Sequence, residues 1–384
     1  MADPAPYLSL NVHPRIAEIG QADWDACAGD ENPFVSYGFL SALEDSGSVG
    51  GRSGWHPRYV VLRDEAGVAM AVAPAYAKTN SYGEYVFDHA WANALERAGG
   101  KYYPKLQVAV PFSPVPGPRV LCRGGIGVAA MASALEQMAG ELDCSSIHAT
   151  FCTESEWREF GEAGWLQRLG TQFHWENNAY KTFDDFLSAL SSRKRKAIKR
   201  ERRDAQAGLT FQALSGADLT KDVWEAFYTF YLSTVDRKWG GAYLTKKFFS
   251  LLGERLGDKV VLMMASRDGV PIAGALNLRG KNVLYGRNWG STEDVPFLHF
   301  ELCYYQAIDY AIARGLGRVE AGAQGEHKIQ RGYLPKPTYS AHWIGHPGLR
   351  HAVAAFLEAE RPDMEAAMAA MAADSPYKQV DDTG

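Results

Sequence analysis

Apolar runs broken by a charged turn recur in two stretches, 59–78 and 261–280. Each runs apolar strand, charged turn with a glycine (Gly67; Gly269), second apolar strand. β-Branched runs around an Asp/Gly turn are the pattern of a β-hairpin. A second match follows: GWLQRLGTQFHW from Gly164 and GYLPKPTYSAHW from Gly332 share the glycine, the next aromatic, the Leu and the closing His-Trp. Two matches in one order read as an internal duplication. Val68 with Val270 sets an offset of 202 and His174 with His342 one of 168, so the first half carries about 34 extra residues. The aromatic and proline-rich stretch 84–118 is the expected insertion.

The remaining pattern is the same in both halves. Helices over 33–45 and 222–238 precede the hairpins, and helices over 129–142 and 299–314 follow them. Short strands over 146–152 and 318–321 come next, then the strands ending His-Trp. Leu302, Tyr305, Ile308 and Ile312 recur at helical spacing, with Gly315 at the stop. Strands interleaved with helices predict an α/β fold, a mixed and mostly antiparallel sheet flanked by helices in each half. Between the halves a helix over 182–208 starts at a capping box, Thr182 with Asp185, and stops at Gly208. Its apolar face ends near Leu190. An Ala/Met-rich helix over 351–373 closes the chain. The expected division is an N-terminal domain over 1–180, an arm over 181–207 and a C-terminal domain over 208–384.

At 384 residues the chain exceeds one ordinary core. With 46% hydrophobic and 22% charged residues it has the mix of a globular protein. It shows neither a run of about 20 apolar residues nor a basic start followed by an apolar core. Five scattered cysteines without a CxxC pair read as reduced thiols, so a cytoplasmic location is expected. The formal charge is only −5, but eight of the 40 basic residues fall in 193–203, where Glu201 is the one acid. At 100° per residue Arg193, Lys196, Arg200 and Arg203 lie closest to a common face. Phosphate is the usual partner of such a cluster; a merely solvated face is the competing reading. Ala197 and Ile198 interrupt the charges with a buriable pair, which favours a docked helix with its charges aimed.

The loop GAQGEHKIQRGY from Gly322 crowds Gln324, Glu326, His327, Lys328, Gln330 and Arg331 between a strand and a turn. Loops over sheet ends are where sites are built. Glu326 and His327 are candidate general bases, and Lys328 and Arg331 candidate anion holders; a polar surface turn is the alternative. In LYGRNWGS from Leu284, Gly286 and Gly290 bracket Arg287 and Trp289. His299 and Glu301 then stand at a helix start, where free N–H groups favour an anion; capping and packing would place them there equally well. His299, Glu301, Glu326 and His327 have metal-ligand chemistry, but adjacent Glu326 and His327 rarely point together and no HExxH is present, so no metal is expected. No GxSxG elbow, dinucleotide fingerprint or P-loop occurs.

Taken together, NPFVSYGFL, GTQFHWEN, SSRKRKAIKRERR, LYGRNWGS, LHFELCYYQAIDYAI and GAQGEHKIQRGYLP resemble the FemAB-like proteins of the GNAT N-acyltransferase superfamily, over roughly 32–360. The C-x-x-G-x-G from Cys122 resembles the pyrophosphate loop of acyl-CoA-binding acetyltransferases, with Cys122 where Gln or Arg is usual. The resemblance implies two tandem GNAT-like domains and a basic helical arm. Fem-type enzymes transfer an aminoacyl group from charged tRNA to an amine of a peptidoglycan precursor, and other relatives use acyl-CoA. The expected function is therefore N-acyl transfer in peptidoglycan biosynthesis. Aminoacyl-tRNA or acyl-CoA would be a co-substrate, with no tightly bound cofactor. Glu326, His327 and Glu301 are the candidate catalytic groups. Arg287, Trp289, His299, Gln324, Lys328 and Arg331 would bind substrate, and Arg193, Lys196, Arg200 and Arg203 the phosphates of tRNA. The loop GAQGEHKIQRGY departs from the shorter Phe-Lys stretch of the Fem enzymes. The alternative is a non-catalytic binding protein for nucleic acid or a phosphorylated precursor.

Overall fold

A computed structural model describes residues 8–238, 241–322 and 325–378. Two compact units emerge: Met1–Gly170 with Pro337–Glu365, and Thr171–Lys336 with Ala366–Gly384. The sequence divides linearly at 180 and 207. The units divide instead within two long strands, Leu166–Glu176 and Leu334–Ile344.

In the first unit the expected hairpin pairs Tyr59–Arg63 with Ala69–Ala73. Asp64 shapes the turn by accepting from the amides of Ala66 and Val68 at 3.0 and 2.8 Å. A second set of strands, Trp55–Pro57, Ala75–Lys78, Lys105–Val108 and Ser146–Cys152, leads to the strand Leu334–Ile344. Lys105–Val108 and Ser146–Cys152 run parallel. Alternation sends Leu106, Val108, Ile147, Ala149 and Ala341 into a core with Met131, Leu135 and Met138 of the helix Val128–Glu141. The opposite face carries Lys105, Gln107, His148, Thr150 and His342, all buried. The insertion expected over 84–118 is thus interrupted: Lys105–Val108 belongs to the sheet, and the extra residues flank it on both sides, with the helix His89–Arg97 in the first part.

The second unit is built on the antiparallel strands Thr210–Leu214, Val260–Arg267, Val270–Arg279 and Val283–Ser291. Asp268 and Gly269, at φ 50 and 80, form the two-residue hairpin turn that matches strand twist. Arg318–Glu320 adds parallel to Val283–Ser291 and antiparallel to the end of Leu166–Glu176. Helices Lys221–Lys238 and Lys246–Leu256 are joined to these strands. A Cβ on Gly290 would lie 1.7 Å from the Phe230 carbonyl oxygen, so the first of these helices sits on the strand where only glycine fits. The core gathers Phe173, Trp175, Leu284 and Val319 from the sheet with Phe186, Ile198, Leu302, Tyr305 and Ile308 from helices.

Two expected helices are subdivided. The stretch 182–208 forms Phe183–Ala189, with the Thr182/Asp185 capping box, and Ser192–Gln206. They part at Leu190, which turns extended and bridges to Tyr377. The stretch 299–314 begins as Leu298–Phe300 after Phe297 at φ 64, passes through a π-helical turn over Glu301–Tyr305, and ends as Gln306–Ala313. Single π turns inside helices recur at functional sites. Among the described residues no helix is long and apolar enough to cross a membrane.

Candidate active site

In the second unit, Val283–Ser291 and Arg318–Glu320 are paired only from Val283–Arg318 to Tyr285–Glu320. Beyond that point the pairing stops. On its other side Val283–Ser291 pairs Gly286 with Asn277 and Trp289 with Ala275, so Arg287 and Asn288 together oppose Leu276. That is a β-bulge, which re-aims a side chain and locally ends regular pairing. A bulge beside the end of a parallel pair makes a place where a substrate can meet strand backbone and side chains together.

Glu320 stands at this point. Val319 enters the core, so alternation turns Glu320 to the other face, where it is fully buried. Arg318 lies 3.0 Å from Glu320 Oε1, yet neither carboxylate oxygen receives a hydrogen bond among the described residues. Burial raises its pKa to about 7, against the opposing pull of Arg318 and Arg287. A buried carboxylate poised near neutrality is what a general base needs. Across the antiparallel pair, Glu320 faces His174. Burial first, then Arg318, Lys336, Arg287 and Lys328, depress the His174 pKa to about 3, so this imidazole is neutral. His174 also lines a cavity of about 560 Å³, with Tyr180, Gly332, Leu334, Tyr377 and Lys378 among the other walls.

The basic helix Ser192–Gln206 is docked through its inner face. Ile198 and Ala205 are buried. Arg202 donates to Glu301 at 3.0 and 3.2 Å and to Asp309 at 2.7 Å, and its guanidinium lies 4.2 Å over Phe183. Glu201 takes two hydrogen bonds from Arg331, at 2.9 and 3.2 Å. Arg193, Lys196, Arg200 and Arg203 are exposed on the other side. Of these, Arg203 pairs with Asp204, and the other three make no ion pair among the described residues.

The sequence-predicted residues distribute around this frame. Glu301 is fully buried and accepts from Arg202, Gln206 and Gln306, so its carboxylate holds the basic helix. Glu326 is exposed at the first position of the 3-10 helix Glu326–Arg331. His327 is exposed, and its Nε2 is 3.0 Å from the Tyr304 hydroxyl. Its ring joins an aromatic group with His299, Phe300 and Tyr304, and His299 in turn meets Trp289 edge-on at 4.9 Å. Lys328 is buried and donates to the Gly322 carbonyl at 3.0 Å. Arg331, besides Glu201, stacks 3.4 Å over Phe300 and donates to the His327 carbonyl. The Arg287 charge acts on Glu320, and the guanidinium donates to the Gly286 carbonyl. Gln324 lies outside the described residues. Thus the charges of Arg287 and Lys328 act on His174, and that of Arg287 on Glu320, while His299, Trp289 and His327 form the aromatic group.

Sequence reasoning missed Glu320 and His174 as site residues. A signal was present. In the short strand read over 318–321 an acid alternates with Val319, and an acid within an apolar strand is rare without a purpose.

A family profile described as peptidoglycan biosynthesis/recognition, FemAB-like, matches residues 15–379. No curated protein matches the chain in sequence. Among solved structures, FemX superposes with a TM-score of 0.54 at 10% identity, covering 90% of this chain and 100% of that one. L-PGS from Bacillus licheniformis gives 0.50 at 10% identity, covering 85% and 98%. The likeness is of fold and runs over most of the chain. With the profile spanning nearly its full length, the chain belongs to the FemAB-like family.

Proposed function

We propose that the protein is an N-acyltransferase that moves an aminoacyl or acyl group from an activated donor to an amine acceptor on a cell-wall precursor. The observation that carries this reading is Glu320, a buried carboxylate with a pKa near neutrality at the end of a parallel strand pair. Acyl transfer to an amine requires a neutral amine. Glu320 takes the proton as nitrogen attacks the carbonyl, and the leaving oxygen or sulfur of the donor is protonated in turn. Arg287 and Lys328 favour negative charge developing on the carbonyl oxygen or hold an anionic group of a substrate. Holding the two reactants in line supplies about 7–11 kcal/mol, so one base of moderate strength suffices. Glu320 replaces Glu326 and His327 as the base in this proposal: both are exposed, and Glu301 is occupied by the basic helix.

The donor we favour is aminoacyl-tRNA, with acyl-CoA as the second choice. Support comes from the basic helix, where Glu201 and Arg202 are paired inward while Arg193, Lys196 and Arg200 face solvent. Both donors are made in the cytoplasm, which sets the proposed compartment. The test is a mass-spectrometric search for products after mixing the protein with charged tRNAs or acyl-CoAs and amine-bearing precursors. Transfer that ribonuclease treatment of the donor abolishes is expected. Tight tRNA binding with no product from any donor would leave a binding protein instead.

A further inference from the structure

The first unit buries a cluster of charges that the proposed reaction does not use. Lys78 and Lys105 rise from strands Ala75–Lys78 and Lys105–Val108, and both side chains are fully buried. Glu84 bridges them, with Oε2 2.7 Å from the Lys105 ammonium and Oε1 3.7 Å from that of Lys78. Asp88 makes a short contact to Lys105 and accepts from the Tyr102 hydroxyl at 2.7 Å. Lys78 also lies 3.9 Å over the Trp55 ring. Beside them on the same sheet face are Gln107, His148, Thr150 and His342.

The two kinds of charge come from different kinds of structure. The ammonium groups are fixed to strands. Both carboxylates belong to one connecting segment, 79–88, which is part of the extra length of this half. The corresponding connection in the second unit, between Val270–Arg279 and Val283–Ser291, has three residues. The segment fits its place incompletely. Glu84 Oε1 and Asp88 Oδ1 lack a hydrogen bond, as does Gln107 Oε1 on the floor beneath. Its outer side shows Tyr82 and Phe87, each 63% exposed, which do nothing for the core. Buried ammonium groups need counter-charge, and here the chain supplies it from a connecting segment that is also held by Trp55 Nε1 donating to the Tyr82 carbonyl at 3.1 Å and by Ser81 against the Tyr103 hydroxyl at 2.8 Å.

We propose that Lys78 and Lys105 form a binding site for a ligand bearing two carboxylates, which this structure fills with the protein's own Glu84 and Asp88. The ligand takes their place when the segment 79–88 lifts, and Gln107 and Thr150 lie on the floor it then meets. The inference is independent of the acyl-transfer reading, because no residue of the second unit takes part. The form of the occupants sets the ligand class. Two carboxylates on a short span are matched by a small dicarboxylate or by a peptide end with an acidic side chain.

The test uses the full chain with glutarate as probe and inorganic phosphate as the competing anion. Hydrogen exchange of the amides in 79–88 is followed during each titration. Saturable deprotection of this segment by glutarate is expected, with affinity lowered at least tenfold in Lys105→Met. The double variant E84Q/D88N, freed of the internal competitor, should bind glutarate at least tenfold more tightly. The wild-type titration decides the matter even where a variant fails to fold. No response to glutarate, a response to phosphate alone, or glutarate binding unchanged in a folded Lys105→Met protein overturns the proposal.

Discussion

Removing the Glu301 carboxylate separates its structural work from catalysis. The Arg202 guanidinium lies 3.0 Å from Glu301 Oε1 in a place where Glu301 is fully buried. At an effective dielectric of about 20 that separation is worth about 5 kcal/mol before desolvation. Truncating one partner of a buried pair costs about 3–5 kcal/mol, because the other charge is left behind. Arg202 keeps Asp309 at 2.7 Å and the face of Phe183, so the lower end applies. E301A should therefore lose about 3 kcal/mol, a fall in Tm of about 6–12 °C, whereas E326A, at an exposed position, should stay within about 0.5 kcal/mol of wild type. E301Q keeps an acceptor for Arg202 and should fall between them. Thermal and urea unfolding of the three variants measure this directly. An E301A protein within about 1 kcal/mol of wild type, or an E326A protein as unstable as E301A, would refute the anchoring role.

Turnover should rise with pH through about 7 as Glu320 loses its proton, and E320Q should be about 100-fold slower or worse, with that limb absent; a wild-type profile flat from pH 5 to 9 would remove Glu320 from the reaction. The raised pKa also means that Glu320 favours folding below its unfolded value of 4.5 and that this contribution is lost as pH rises through about 7. E320Q should accordingly gain stability relative to wild type at pH 8 compared with pH 4, and chemical denaturation at the two pH values reads the difference. Replacing Arg193, Lys196, Arg200 and Arg203 by Gln should reduce the slope of log affinity for tRNA against log salt by about 3 without moving Tm; an unchanged slope would show that tRNA binds elsewhere. G290A should cost about 3 kcal/mol or more, since the added Cβ meets the Phe230 carbonyl at 1.7 Å and backbone must move; a near-native melting curve would mean that the helix is not packed there.

Much of the architecture was legible because it is written locally. The Asp/Gly turns, the apolar runs of the flanking strands and the Thr182/Asp185 cap each act over a few residues, and all formed as read. The basic helix was also read correctly as docked by Ala197 and Ile198, although Ala197 is only half-buried and Ala205 does more of the burying. What escaped depends on distant partners. Leu190 breaks its helix because Tyr377 offers a bridge. Glu301 looked like a free acid at a helix start until Arg202 and Gln206 reached it from another element. Glu320 drew no notice in a three-residue strand, since its meaning comes from strands on both sides. The loop 322–333 attracted attention by its crowd of polar groups, yet Arg331 is spent on Glu201 and Phe300, and Lys328 holds a carbonyl of its own loop.

The exchange of chain between the units also fixes an order of events at the ribosome. The strand that pairs with Ser146–Cys152 ends at Ile344, long after the first unit's residues up to Gly170 have been made. At about 5–20 residues per second, the nascent first unit waits on the order of ten to thirty seconds with one sheet edge open and His148 lacking its partner His342. By then the second unit's strands through Arg318–Glu320 have already been synthesised. Completion of the earlier-born unit is thus among the last steps of biogenesis, and a chain interrupted near residue 336 would release both units unfinished.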